Sequence, residues 1–215
     1  MQKFIPLFPL EIVVYPNEKL NLHIFEPRYI QLIQEVQESG KTFAIPCVLK
    51  NHVSEFITEM KLLSVEKVYE NGTMDIKTQG VNVLRLLHFI PVVENKLYPG
   101  GIVSEFEVEL QSEQPINPYL IDLIQKLQKV LGLTQPLFTD FTGLKAYDLA
   151  HYVSFSIEEK YHLLTIPTEK QRQGMIYQHL FKVLPTIEAN MDVLQKIKMN
   201  GHFKNLTPPD FLAPQ

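Results

Sequence analysis

Phe4-Ile5-Pro6-Leu7-Phe8-Pro9-Leu10, then Val13-Val14-Tyr15-Pro16, then Leu22-His23-Ile24-Phe25-Glu26-Pro27-Arg28-Tyr29, is the stretch whose reading decides the fold. Pro6, Pro9 and Pro16 each remove a backbone donor, so the strands here are short, at an edge, or broken by bends. Leu20, Leu22 and Ile24 alternate with Asn21 and His23, the period of a half-buried strand. Pro27 stands where a helix begins, a position that needs no N–H, and Tyr29, Ile30, Ile33 and Val36 follow at helical spacing. The opening predicts two short strands running directly into a helix, with no catalytic residue pattern in it.

Outward from there, residues 41–110 keep the period of strands. Phe43 to Leu49 is a short apolar run, buried on both faces or interrupted at Pro46. Asn71-Gly72 is a hairpin signal, because both central turn positions take positive φ cheaply. Gly80 is expected to end the return strand, and Val81 to Ile90 to form another. Tyr98-Pro99-Gly100-Gly101 reads as a turn before a last alternating run, Ile102 to Leu110. Short strands with turns at such intervals predict a small barrel or folded sheet.

After Pro115 the period becomes helical. Asn117-Pro118 caps a helix with Leu120, Ile121, Ile124, Leu127 and Leu131 on one stripe, ending at Gly132. A second helix is expected over Leu144 to Val153. Ser156-Ile157-Glu158-Glu159 and Thr168-Glu169-Lys170-Gln171 read as capping boxes for a short and a long helix. Ile176, Leu180, Val183, Ile187, Met191 and Leu194 line the long one, and Pro185 should kink or split it. The fold class is α+β: an amino-terminal pseudo-barrel of about six strands with one helix (1–115), followed by a carboxy-terminal helical bundle (116–215).

The chain has 215 residues, 45% hydrophobic and 20% charged, with a net charge of −4. That is an ordinary globular balance. The imbalance lies in the strand-rich part, where 10 Lys and Arg face 15 Asp and Glu, against 10 and 9 in the rest. No basic run supports nucleic-acid or anionic-membrane binding. Cys47 is the only cysteine, so neither a disulfide within the chain nor a cysteine-based metal cluster can form. No segment reads as a signal peptide or a membrane span, and a cytoplasmic protein is expected.

The opening pattern resembles the amino-terminal substrate-binding domain of the Lon protease family, in its small free-standing bacterial form. Tyr147-Asp148-Leu149-Ala150, Glu158-Glu159-Lys160, Leu163-Leu164 and the helix from Thr168 are similar to the helical part of that family. The resemblance implies a polypeptide-recognition or adaptor module, binding exposed apolar segments or a specific protein partner. It also implies a non-catalytic protein, because the ATPase and Ser-Lys protease modules of a complete Lon are not in this sequence. A small-ligand-binding or sensor domain is the alternative.

Other chemistry finds little footing. Ser39-Gly40-Lys41-Thr42 looks like the end of a phosphate-binding loop, but Glu35 stands where that motif needs glycine. It also closes a helix and precedes a strand, the reverse of the required context, so Gly40 is expected as a left-handed helix stop. The seven histidines are scattered without zinc-protease spacing. Cys47 sits among Ile45, Val48 and Leu49, a setting that raises a thiol pKa. No catalytic, cofactor or metal residue is expected.

Two readings of the strand-to-helix junction stay open. In one, Glu26 and Arg28 cap the helix and pair with neighbours while Phe25 and Tyr29 fill the core. In the other, Tyr15, His23 and Phe25 line a partly exposed groove between sheet and helix where an apolar polypeptide segment lies. Tyr15, His23, Phe25 and Tyr29 are the candidate partner-binding residues.

Overall fold

A computed structural model describes residues 2–189. The chain divides into two compact units at Val108/Glu109. In the first, β1 (Gln2–Pro6), β2 (Lys19–Ile24), α1 (Pro27–Ser39), β3 (Phe43–Leu49), β4 (His52–Val68), β5 (Met74–Ile90) and β6 (Gly100–Glu105) follow in order. The six strands form an antiparallel sheet of order β1-β6-β5-β4-β3, with β2 paired to β5 off that path. The two ends of the path meet through parallel bridges, Leu7 to Ala44 and Leu10 to Cys47. Phe8 and Leu10 N–H groups donate to the Ala44 and Pro46 carbonyls at 2.8 and 3.1 Å, so the prolines of the opening sit where the chain passes from one pairing to the next.

β4 and β5 are each 17 residues long. Bulges in their ladder, between Glu59 and Met60, Leu62 and Ser64, and Val65 and Lys67, bend the pair. One edge of β5 takes β2 along Met74–Gln79 and β6 along Leu84–Ile90. Gly80 lies between these two partners and does not end the strand, contrary to the expectation of two separate strands. Its role is close approach: a Cβ there would stand 2.2 Å from the Tyr15 carbonyl oxygen. Tyr15-Pro16-Asn17-Glu18 forms the tight turn that causes the approach, with Asn17 at φ 68° and Glu18 N–H donating to Tyr15 O at 3.1 Å.

The β4–β5 hairpin also differs from its expected form. Asn71 does not take positive φ; Gly72 does, at 82°. Gly72 N–H closes the turn on Tyr69 O at 2.9 Å, and Tyr69 N–H donates to Thr73 O at 2.9 Å, giving a type I turn followed by a glycine bulge. β6 stops at Glu105, short of the alternating run that extends to Leu110.

α1 begins at Pro27 and ends on Gly40, which is left-handed at φ 66° and donates to Val36 O, as its sequence predicts. Its buried face (Tyr29, Leu32, Ile33, Val36) packs with Phe8, Phe43 and Met74 in the main core. A second cluster, with Ile5, Leu7, Ile57, Leu84 and Val103, fills the sheet's interior.

The second unit holds α2 (Pro118–Val130), α3 (Ala146–Leu149) with a 3₁₀ turn at Ala150–Tyr152, α4 (Ile157–Leu164) and α5 (Glu169–Ala189). Asn117 caps α2 by accepting from Tyr119 N–H at 2.9 Å, and Ser156 and Glu159 form the reciprocal box of α4. Leu123, not Ile121, is buried on α2, and Leu184, not Val183, on α5. The single helix expected over Leu144 to Val153 is instead a short turn of α-helix running into the 3₁₀ turn. α5 continues past Pro185 without splitting. Pro185 and Phe181 are both exposed, so the carbonyl freed by proline is open to water. Met191, Leu194 and the rest of the expected bundle lie outside the described residues.

The unit's polar centre is Arg172, fully buried against Glu169 at 3.1 Å. Its guanidinium donates to the carbonyls of Ile166 (2.9 Å), Pro167 (3.1 Å) and Glu109, and lies 4.5 Å from the Tyr147 ring centroid. Glu169 accepts from Ala146 N–H at 2.7 Å and from Gln173 at 2.9 Å. Gln173 also accepts from Asn117 N–H. Burial pushes the Tyr147 phenol up to about 12. One network therefore fixes the starts of α2, α3 and α5.

Candidate functional site: an aromatic platform on the sheet

Strand parity turns Leu22 and Ile24 of β2 inward and His23 outward. The ladder registers His23 opposite Asp75 on β5, and Asp75 opposite Lys67 on β4, so three polar residues share one row. Tyr69, just past the end of β4, reaches back over that row. Its hydroxyl donates to Asp75 Oδ2 at 2.6 Å, and His23 Nδ1 lies 2.6 Å from Asp75 Oδ1. The His23 and Tyr69 rings meet edge-on at 5.7 Å, Phe25 stacks beside His23 at 6.3 Å, and Lys67 Nζ is 4.3 Å from the Tyr69 centroid. Phe25 is 44% exposed. The result is an apolar ring face with a charged rim, its orientation fixed by hydrogen bonds to strands.

The four candidate residues therefore part company. His23 and Phe25 come together at the surface. Tyr15 and Tyr29 do not line a groove: both are buried, Tyr29 stacked on Phe8 with 3.9 Å between centroids. Glu26 and Arg28 pair with each other at 2.7 Å, and Glu26 makes no side-chain cap. Sequence periodicity does not bring Tyr69, Asp75 and Lys67 to this surface; the fold does. The signal the sequence does carry is the hairpin: pairing outward from Asn71-Gly72 sets Asp75 against the end of β4, beside His23 only once β2 is docked.

The Tyr69 hydroxyl and then His23 hold the Asp75 carboxyl below its usual range, while Asp75 raises the Tyr69 phenol. A raised phenol is the reverse of what a nucleophilic phenolate requires. A depressed carboxylate contributes above its unfolded pKa and loses that contribution as pH falls through its folded value. With an unfolded value of about 4, the platform is expected to hold from neutral pH to about 4 and to open below that. Tyr69 ring-proton shifts followed by pH titration check this; loss already at pH 6 would contradict it.

A second feature of the same unit is a cleft of about 950 Å³ between β1 (Lys3 to Pro6) and the segment from the end of α1 to Thr42. Lys3 pairs with Glu59 at 2.6 Å, and Thr42 donates to the same carboxylate at 2.7 Å. Burial raises the Glu35 carboxyl, but hydrogen bonds from Lys96 and Tyr98 outweigh it and leave its pKa lowered. Among the described residues no three His, Cys, Asp or Glu side chains converge as metal ligands, and no helix is long and apolar enough to cross a membrane.

Residues 5–182 match the family described as ATP-dependent protease La (LON) substrate-binding domain. Among solved structures, a Lon N-terminal domain protein from Xanthomonas campestris is similar, at 24% identity and a TM-score of 0.63, over 81% of this chain and 96% of that one. The N-terminal domain of Mycobacterium avium complex Lon protease is similar at 16% identity and a TM-score of 0.54, over 83% and 98%. No curated protein matches.

Proposed function

The chain belongs to the Lon substrate-binding domain family, and on that premise we propose that it is a non-catalytic polypeptide-recognition module whose contact surface is the His23–Phe25–Tyr69 platform. The observation that carries the reading is Phe25, a large apolar ring held exposed beside a hydrogen-bonded His23. Rigid aromatic rings with a polar rim capture apolar side chains at little entropic cost, and such anchors dominate binding energy. The raised Tyr69 phenol, committed to Asp75, favours binding over catalysis at this surface. We place the protein in the cytoplasm, where a buried thiol such as that of Cys47 stays reduced.

The test is fluorescence anisotropy with a reduced, carboxymethylated polypeptide that cannot fold. Phe25→Ala is expected to weaken binding about 5- to 30-fold, as for an interface anchor worth about 1–2 kcal/mol. Its melting should stay close to the parent, because an exposed side chain contributes within about 0.5 kcal/mol. Unchanged affinity in a well-folded Phe25→Ala protein would sink the assignment.

A further inference from the structure

We propose that the cleft beside β1 takes an extended polypeptide segment as an added strand, hydrogen-bonded to the edge of β1 at Gln2 and Phe4. This deepens the reading above and rests on it, but uses a different surface.

The argument starts from ladder parity. Leu7 N–H donates to Pro99 O at 2.8 Å, in register with Ile5 opposite Gly101 and Lys3 opposite Val103. In an antiparallel ladder alternate residues exchange both bonds with one neighbour and turn the next pair of groups to the other edge. The even residues therefore face away from β6. Further along, Phe8 and Leu10 meet β3 in this way. Between Pro6 and Gln2 the two walls separate into the cleft, and among the described residues no strand pairs with Phe4 on that side. An edge carrying an open donor and an open acceptor is a template for another strand.

The cleft's side chains suit a peptide better than an ion. Lys3 is neutralised by Glu59 and Lys96 by Glu35. Glu38 and Lys41, also on the wall, balance each other in charge and have no ion-pair partner among the described residues. A balanced site favours neither an acidic nor a basic ligand, whereas a peptide backbone brings donors and acceptors in equal number. Phe4 adds an apolar contact: its half-exposed ring lies over Gly100, where a Cβ would come within 2.4 Å of it.

The probe is the capped peptide Thr-Val-Thr-Val-Thr and the same peptide N-methylated at every residue, so that neither edge keeps an N–H, with backbone amide exchange followed by NMR. The peptide is expected to slow exchange at Phe4 at least tenfold, and the N-methylated form to do nothing. Phe4→Pro, which removes a cleft-facing N–H and leaves the Lys3 and Ile5 bonds to β6, should weaken peptide binding about tenfold. Unchanged exchange at Phe4, or equal binding of the N-methylated peptide, overturns the proposal. If the unfolded polypeptide still binds in a manner sensitive to Phe25→Ala, only the added-strand assignment falls; if neither probe binds, the underlying reading falls with it.

Discussion

Arg172→Ala is expected to cost the helical unit about 3–5 kcal/mol, the figure for removing one partner of a buried ion pair. The side chain is 1% exposed, and its loss leaves the Glu169 carboxylate buried without its counter-charge. It also strips donors from the carbonyls of Ile166, Pro167 and Glu109, each of which then pays a desolvation penalty. Arg172→Lys should recover only part of the loss, because one ammonium cannot reproduce a planar fork that meets a carboxylate and several carbonyls while stacking on Tyr147. Urea denaturation followed by helix circular dichroism measures both. An Arg172→Ala protein within about 1 kcal/mol of the parent, well under that range, would mean that water enters and replaces the guanidinium.

Gly80→Ala should cost the strand-rich unit about 3 kcal/mol, at the upper end for overpacking. The obstruction is main chain: Tyr15 O would lie 2.2 Å and Tyr15 C 3.0 Å from the new Cβ. That turn cannot move aside freely, because Asn17 N–H donates to Gly80 O and Gly80 N–H to Glu18 O, both at 2.9 Å. Gly72→Ala is the useful contrast. Nothing lies within 4 Å of its Cβ position, so its cost is only the left-handed backbone, about 1 kcal/mol. Equal losses at the two positions in urea denaturation would show that the Tyr15 turn yields.

Much of this architecture is written in local signals. Pro27 as the first helical residue, Gly40 as the left-handed stop, and Ser156 with Glu159 as a reciprocal cap each depend on neighbours a few positions away. Alternation through Leu20 to Ile24 likewise gives the parity of β2. The structure departs from these local signals where distant chain decides. Gly80 looks like a strand end until Tyr15 is docked against it. Tyr15, Phe25 and Tyr29 look alike as aromatics, and only the packed α1 shows that Tyr29 meets Phe8 while Phe25 stays outside. Glu169 and Arg172 have the spacing of a solvated surface pair, yet the segments around Glu109 and Ala146 close over them. The platform itself needs register across three strands, which no local pattern contains.

Site-specific photo-crosslinking bears most directly on polypeptide recognition at Phe25. A benzophenone side chain would replace Phe25 in one protein and Leu87 in another; the two are matched in exposure, at 44% and 43%. Each would be irradiated with the carboxymethylated polypeptide. Recognition by the platform predicts abundant adduct from position 25 and little from position 87. Equal yields, or more from position 87, would contradict it.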